Sequence, residues 1–290
     1  MLEAAIVAGA LFVGSTPCDA LPRRFVGVPA GAECERITWE LTLSDPADAS
    51  YRLSAVYGMS AVNDPGFANG GTRVELRGTW TLATGMASDP RAVVYRLAAP
   101  NPERTMDFAL VDEELLHPLN ERRALMVGNA SWSYTLSRKT DGGRPARGPY
   151  ARWLEGPVGS SQNGASVTDL TGVFEGRTAC QDVARVLNVP VGADCFKVKW
   201  RLTLSRDQGT LARGTYKLEG SKYRNPPRTG TWAVRSVPGD TRVVYMLDPQ
   251  APGGFLSLLK ADGNILLMLD REGRVLVGDI LFSYTLNRVK

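Results

Sequence analysis

The sequence predicts an all-β protein built from two tandem small antiparallel β-barrels, each with a short helical insertion between paired cysteines. The first observation behind this prediction is a repeat. Residues 28–43 read VPAGAECERITWELTL and residues 189–204 read VPVGADCFKVKWRLTL, and nine of the sixteen positions are identical. The second observation is an alternation of apolar and polar residues in short runs, and the third is a pair of cysteines in each copy.

The repeat extends over most of the chain. Its other matches, first copy before second, are Phe12–Cys18 with Phe174–Cys180, Gly78–Trp80 with Gly230–Trp232, Val93–Tyr95 with Val243–Tyr245, and Ser133–Leu136 with Ser283–Leu286. The period of about 150 to 160 residues is far longer than the ~20 to 50 residues of a solenoid unit. The sequence therefore predicts a first barrel at residues 5–138, a linker rich in Gly, Pro and Ser at 139–167, and a second barrel at 168–290.

Each copy has the periodicity of half-buried β-strands. In Ile37–Leu43 and Val198–Leu204 every second residue is apolar, which places one face of each strand in a core and the other in water. Further short runs of this kind are separated by Gly, Pro, Asn and Asp, a pattern typical of an up-and-down barrel or a sandwich. We favour a barrel because closure removes the exposed edges of a sheet.

A short helix and a first strand complete the prediction for each copy. The segment QDVARVL, at 181–187, has the spacing of an amphipathic helix, and Leu21 and Phe25 repeat it weakly in the first copy. By its match to Phe174, Phe12 is expected in the first strand of the first barrel.

The four cysteines predict two disulfide bonds, Cys18–Cys34 and Cys180–Cys195. An even number with the same placement in both copies favours one bond within each copy and an oxidising compartment, with the export signal upstream. Free thiols and a zinc site are the alternatives. Zinc is disfavoured because structural zinc sites use closely spaced ligand pairs such as C-x2-C, which this sequence lacks.

The sequence contains few residues that could carry out catalysis, and we predict no catalytic residue, no metal site and no cofactor. The only histidine, His117, has Leu267 as its counterpart, so a histidine-dependent site could exist in one copy only. We expect His117 to be hydrogen-bonded in the fold or exposed in a loop. Of the acidic cluster Asp112–Glu114, only Asp262 remains in the second copy, which supports acid–base chemistry weakly.

Charge and hydropathy predict neither a nucleic-acid partner nor a membrane-spanning segment. The net charge of +4 is too small and dispersed to predict nucleic-acid binding. No run reaches the ~18 to 20 apolar residues of a membrane-spanning helix, so no transmembrane segment is predicted. The basic stretch from Arg138 to Glu155 is interpreted as part of the linker, in which Tyr150 and Trp153 form either a loose aromatic pair or one helical turn docked on a barrel.

Four tryptophans occupy matching positions on the alternating strands. We expect them either to fill the barrel cores or to line a ligand cavity; they are Trp39 with Trp200 and Trp80 with Trp232.

The order of these motifs resembles a known family. In the second copy the relevant residues are Val173–Gly176, Ala193–Cys195, Gly230–Trp232, Leu267–Asp270 with Gly273, and Tyr284–Leu286. The pattern is similar to the N-terminal domain of NlpE-type copper-homeostasis lipoproteins, here in two tandem copies. The resemblance implies lipocalin-like barrels located in the bacterial periplasm or at the outer membrane. It also implies a link to copper homeostasis and to envelope or surface stress sensing.

One spacing differs from that family. NlpE-type domains place their first cysteines as C-A-D-C, whereas in this chain the partner of Cys34 or Cys195 lies a helix-sized insertion upstream. A closely spaced C-x-x-C suits redox exchange or a soft metal, so the spacing in this chain speaks against direct copper binding. From the motifs and the resemblance together we predict a non-enzymatic envelope protein that acts through protein contact or stress sensing. The alternative is a lipocalin-like binder of a small apolar ligand.

Overall fold

The structure is a computed structural model of the chain. It describes residues 4–8, 36–59, 67–101, 105–139, 149–150, 154, 171–207, 212–222, 226–235, 242–252 and 254–289. Cys18 and Cys34, the weak helical pattern at Leu21 and Phe25, and Trp153 lie outside these residues. The predicted first bond and the helical insertion of the first copy therefore stay predictions.

The first half of the chain forms a closed antiparallel barrel of eight strands, in which each strand pairs with its neighbours in sequence and β1 pairs with β8. A short 3-10 helix (Ala68–Gly70) precedes the fourth strand. The strands are β1 (Ala4–Ala8), β2 (Arg36–Leu43), β3 (Ser50–Gly58), β4 (Thr72–Met86), β5 (Asp89–Ala98), β6 (Met106–Asp112), β7 (Leu115–Pro118) and β8 (Leu136–Lys139).

The second half forms another closed antiparallel barrel of eight strands, in which β16 pairs with β9. A helix, α1 (Cys180–Leu187), joins the first two strands. The strands are β9 (Gly172–Ala179), β10 (Lys197–Arg206), β11 (Arg213–Gly220), β12 (Arg228–Arg235), β13 (Val244–Leu247), β14 (Leu256–Lys260), β15 (Ile265–Leu269) and β16 (Thr285–Arg288). The predicted all-β architecture of two antiparallel barrels is confirmed.

The predicted alternation explains which side chains fill the barrels. In β10, Val198, Trp200 and Leu202 are buried, whereas Lys199 and Arg201 between them are exposed. Each barrel has its own cluster of buried apolar residues drawn from all around the sheet. Because burial of apolar surface stabilises by roughly 25 cal/mol per Å², these two clusters provide most of the free energy that holds the barrels closed.

The first strand of the first barrel differs from the prediction. Ile6 of β1 pairs with Leu41, and in the second barrel Phe174 of β9 pairs with Leu202, which is the repeat counterpart of Leu41. The register therefore matches Ile6, not Phe12, with Phe174. The predicted match failed because it was anchored on Cys18 and Cys180, and the chain between strand and cysteine has a different length in the two copies.

The chain divides into two compact units. Unit 1 comprises Met1–Gly128, Trp132–Gly142 and Val277–Ser283, and unit 2 comprises Asn129–Ser131, Gly143–Leu276 and Tyr284–Lys290. The predicted domain boundaries at residues 138 and 168 stay a prediction.

Part of the predicted linker packs on the second unit. The Tyr150 side chain is only 1% exposed. Its backbone N–H donates to the carbonyl of Gly273 at 3.1 Å, and Arg242 Nη1 donates to the Tyr150 hydroxyl at 3.2 Å. The interpretation of Tyr150 as one member of a loose aromatic pair is therefore wrong, and this tyrosine is a fixed part of unit 2.

Within the described part of the chain, no helix has the length and apolar character needed to cross a membrane.

Candidate functional site

Helix α1 lies at one end of the second barrel and is held there by a disulfide bond. Cys180 follows β9 directly, and Cys195 stands two residues before β10. The two are bonded, with 5.7 Å between their Cα atoms, a distance typical of disulfides. The predicted Cys180–Cys195 bond and the helix between its cysteines are confirmed.

The apolar face of α1 turns toward the barrel. Val183 and Ala184 are buried, and Val186 and Leu187 pack against the core of the second barrel. The helical spacing of Val183, Val186 and Leu187 in the sequence therefore corresponds to the face of α1 that packs on the barrel. The helix ends at Asn188, whose left-handed backbone (φ 53°) is tolerated by asparagine better than by most residues.

Hydrogen bonds fix the helix at points other than the disulfide. The Tyr284 hydroxyl donates to Asp182 Oδ2 at 2.7 Å, which ties the first turn to the start of β16. Arg271 Nε donates to the carbonyl of Val186 at 3.0 Å, which ties the last turn to the loop after β15. The helix is therefore fastened at both ends to the barrel that it covers.

A cavity of about 170 Å³ lies between α1 and the barrel. Its walls are almost entirely apolar, and the charged residue among them is Lys222, which is exposed. A cavity of about this size is large enough to accept a molecule such as benzene. The lining residues are Cys180, Val183, Ala184, Leu187, Val189, Val191, Val198, Trp200 and Lys222.

The four predicted tryptophans have different surroundings. Trp200 borders the cavity, and its indole N–H donates to Thr178 Oγ1 at 2.8 Å, which fixes the ring. Trp232 is buried in the same barrel and donates to the carbonyl of Ser205 at 3.0 Å. In the first barrel, Trp39 and Trp80 are buried in the core. The centre of the Trp39 ring lies 6.0 Å from that of Phe108 in an edge-to-face arrangement.

A polar cluster that was not predicted from the sequence lies in the second barrel. The Tyr216 hydroxyl donates to Asp248 Oδ2 at 2.8 Å and accepts a hydrogen bond from Arg228 Nε at 2.9 Å. Burial, together with the neighbouring carboxylate, raises the pKa of Tyr216 above its ordinary value. Because Arg228 also pairs with Asp248 at 2.5 Å, each charged group has a partner and the cluster serves to stabilise the barrel.

The first copy has lost this cluster. The counterparts of Asp248 and Arg228 are Ala98 and Leu76, as the pairing of the strands shows. The hydroxyl of Tyr51, the counterpart of Tyr216, is buried and has no hydrogen-bond partner. Burial raises the pKa of Tyr51. The loss of two charged partners in one copy indicates that the cluster is not a requirement of the barrel itself.

His117 lies in β7 and is completely buried, so the expectation of an exposed loop histidine is wrong and that of a hydrogen-bonded one is confirmed. Its Nε2 lies 2.7 Å from the carbonyl oxygen of Met126, so Nε2 carries the proton. Its Nδ1 then accepts from the Thr135 hydroxyl at 3.1 Å. Burial lowers the pKa of His117 from 6.5 to about 4. Both nitrogens are engaged with neutral groups, so His117 has the surroundings of a structural residue.

The predicted acidic cluster forms a turn. Asp112 Oδ1 accepts the backbone N–H of Glu114 at 3.0 Å in the connection between β6 and β7. Asp262 does the same for Asn264 and Ile265 in the corresponding connection between β14 and β15. Aspartate is favoured here because its short side chain can bond to backbone groups two or three residues ahead. The repeated aspartate therefore has a structural explanation.

Among the described residues, no group of three or more His, Cys, Asp or Glu side chains comes together in a way that could hold a metal ion. No protein-family model matches this chain, and neither a curated protein nor a solved structure matches it. The resemblance to NlpE-type lipoproteins stays a prediction that rests on the order of the motifs.

Proposed function

We propose that this protein is a non-enzymatic binding protein whose second barrel holds a small apolar molecule with an anionic end in the cavity under α1. The observation that carries the proposal is the cavity itself, which is almost entirely apolar and has one cation, Lys222, among its lining residues. Release of water from the apolar surfaces of the cavity and of the ligand would drive binding. The ammonium group of Lys222 would favour a carboxylate or phosphate at the end of the ligand.

The size of the cavity limits the ligand. Pockets for drug-sized molecules measure about 300 to 1,000 Å³, whereas this cavity measures about 170 Å³. It suits one aromatic ring or a short acyl chain, on the order of six carbon atoms. The aromatic side chains that fill the two barrel cores support this limit, because they occupy the space that a larger ligand would need.

The lining supports binding and not catalysis. Cys180 has no thiolate to attack a substrate because its sulfur is bonded to Cys195. The other lining side chains, apart from Lys222 and the indole of Trp200, are aliphatic. Lys222 is the titratable group in this set, and its exposed ammonium has no second acid–base group beside it in the lining with which to share a proton transfer.

Filling the cavity should abolish binding. We expect Val191→Trp, at a partly buried position in the lining, to reduce hexanoate affinity to below detection, because the indole would occupy the space. Calorimetric titration with hexanoate measures this. The matched control is Val93→Trp, at a position 39% exposed in the first barrel, which should bind like the wild type. Equal hexanoate affinity in Val191→Trp and the wild type would show that the ligand does not enter this cavity.

The same titration tests the part played by Lys222. We expect hexanoate to bind more tightly than hexanol, and Lys222→Gln to remove this preference, which should be roughly fivefold at most because the ammonium is exposed. Lys217, which pairs with Glu219 at 2.9 Å and is not in the lining, provides the control Lys217→Gln. An unchanged preference in Lys222→Gln would contradict the assignment of an anionic ligand.

We also propose that the protein works in an oxidising compartment, the bacterial periplasm or the outer membrane. The Cys180–Cys195 bond supports this, because such bonds persist mainly outside the cytoplasm, and so does the resemblance to NlpE-type lipoproteins. The link to copper homeostasis and to stress sensing through an envelope partner rests on the resemblance alone. A pulldown from envelope extract with and without copper tests it, and recovery of the same proteins in both would count against a role for copper.

A further inference from the structure

We infer that the end of the second barrel that carries α1 docks on a membrane surface rich in anionic phospholipids. The inference rests on a juxtaposition at the start of β10. An exposed aromatic ring, Phe196, stands beside three cationic side chains, Arg177, Lys197 and Lys199, none of which forms an ion pair within the described residues. We call these four residues the basic-aromatic patch. None of these four residues lines the ligand cavity, and the inference does not depend on what the cavity binds.

The three cations of the patch lie close together on β9 and β10. Lys199 is directly opposite Arg177 in the register of the two strands. Like charges directly opposite each other destabilise a sheet. Lys197 is two residues before Lys199 on the same strand. Burial lowers the pKa of Lys197, and repulsion by Arg177 and Lys199 lowers it further. An anionic surface would remove this repulsion.

The acidic residues of the adjoining strands β9 and β11 are paired elsewhere. Glu175, two residues before Arg177 on the same face of β9, pairs with Arg201, and Glu219 pairs with Lys217. In the described part of the chain, no ion pair involves Arg177, Lys197 or Lys199, and Asp194 is the nearest acidic residue in sequence to Lys197. The three cations outnumber Asp194, so the patch presents a net positive charge.

Phe196 supplies an apolar contribution next to this charge. Its side chain is 53% exposed, and Lys197 Nζ lies 4.9 Å from the centre of its ring. It follows Cys195, whose disulfide fixes the local backbone, and its own carbonyl accepts the N–H of Cys180 at 3.1 Å. A rigidly held aromatic ring with long cationic side chains around it matches the interfacial region of a bilayer. There the ring enters below the headgroups, and the ammonium and guanidinium groups bind phosphates.

A further exposed apolar residue favours a membrane over a soluble polyanion. Val189, which borders the ligand cavity and follows the end of α1, is 37% exposed. Lys222, also on the cavity lining, adds a fourth cation on the loop after β11, and the hydroxyl of the neighbouring Ser221 accepts the N–H of Lys199 at 3.1 Å. A soluble polyanion would bind the cations and leave the side chains of Phe196 and Val189 in water, whereas a bilayer would cover both side chains.

Vesicle flotation with the full chain tests the inference. We expect the protein to bind vesicles of mixed phosphatidylglycerol and phosphatidylcholine, and to bind vesicles of phosphatidylcholine alone weakly or not at all. Lys199→Gln should weaken binding to the anionic vesicles about fivefold, since each cation near such a surface contributes a similar factor. Lys217→Gln, which removes a charge already paired on the neighbouring strand, should leave binding unchanged.

The aromatic contribution needs its own variant. Phe196→Ser should weaken vesicle binding about fivefold to tenfold through loss of the buried ring. Leu82→Ser removes a more exposed apolar residue, 62% exposed in the first barrel, and should have no effect. Both sites are exposed, so neither variant should impair folding.

Three results would overturn the inference. The first is equal binding to the two kinds of vesicle, and the second is wild-type binding by both Lys199→Gln and Phe196→Ser. The third is binding to heparin that is as tight as vesicle binding and insensitive to Phe196→Ser, which would identify a site for soluble polyanions. Hexanoate titration without vesicles is a separate measurement, so failure of the membrane inference would leave the cavity proposal standing.

Discussion

Replacing His117 by leucine should make the stability of the first barrel much less sensitive to acid. In the wild type the free energy of unfolding should fall as the pH falls toward 4, and the variant should not show this fall. The imidazole is fully buried, and its pKa in the folded protein is about 4, against 6.5 in the unfolded chain. A difference of this size corresponds to about 3 kcal/mol. This is a substantial fraction of the ~5 to 15 kcal/mol by which domains are typically stable.

The direction of the pH dependence follows from the two pKa values, because the unfolded chain binds the proton more tightly than the folded protein. Above pH 6.5 the imidazole is neutral in both states, and the full stability is present. As the pH falls from 6.5 toward 4, the unfolded chain binds the proton first, so the wild type loses up to about 3 kcal/mol. The His117→Leu variant has no imidazole to protonate, so its free energy of unfolding does not fall in this way. It should be less stable than the wild type at pH 7.5, by about 1 to 3 kcal/mol, because Met126 and Thr135 lose their partner.

Urea unfolding of both proteins at a series of pH values, followed by tryptophan fluorescence, measures this. The stability difference between wild type and variant should shrink or reverse between pH 7.5 and pH 4.5. The second barrel is an internal control, because Leu267 occupies the position of His117 there. Parallel pH profiles for the two proteins would mean that the imidazole is not held neutral by burial.

Much of the fold could be predicted because repeated motifs have local structural causes. In Gly78–Trp80 and Gly230–Trp232, a side chain on the glycine would collide with the next strand at Ala98 and with Asp248, respectively. Only glycine allows this close approach. Similarly, Asn120 and Asp270 each accept two backbone N–H groups of the following turn. These motifs also carry the resemblance to NlpE, so they report on a barrel and much less on chemistry.

One substitution between the copies shows how the turn tolerates change. Gly273, in the turn after Asp270, has a left-handed backbone (φ 71°), and its counterpart Arg123 adopts the same region (φ 57°). In the first copy the guanidinium of Arg123 compensates by donating from Nη1 to Asp107 at 2.9 Å and from Nε to the carbonyl of Gly85 at 2.8 Å. Sequence comparison of the copies identifies the turn but not these long-range contacts.

The candidate site could be predicted only in part, because it depends on contacts between residues far apart in sequence. The spacing in QDVARVL predicted the helix and its apolar face. That Val189, Val191 and Lys222 border one cavity depends on how far α1 stands from the end of the barrel, which no local pattern specifies. The Tyr216 cluster escaped prediction for a different reason. Its members are far apart in sequence, and the first copy lacks two of them, so the repeat gave no signal.

Removing the Cys180–Cys195 bond should strongly destabilise the second barrel and leave the first almost unchanged. On the chain-entropy model, closing a loop of this length contributes ~3 kcal/mol, since the two cysteines are 15 residues apart in sequence. For a domain of this size, such a loss lowers the melting temperature by about 10 to 20 °C. The first barrel should keep its transition because distant sites contribute independently.

The double variant Cys180→Ser/Cys195→Ser, studied by differential scanning calorimetry beside the wild type, measures this effect without touching Cys18 or Cys34. Its helix keeps the bonds from Tyr284 to Asp182 and from Arg271 to Val186, so we expect a lower melting temperature and not an unfolded second barrel. Tyr284→Phe, which removes one of those bonds and retains the disulfide, is the control and should cost about 1 kcal/mol. If the double variant melts with the wild type while Tyr284→Phe melts lower, the hydrogen bonds and not the disulfide hold α1 over the cavity. Hexanoate affinity should then survive reduction as well, because the space between α1 and Trp200 would be unchanged.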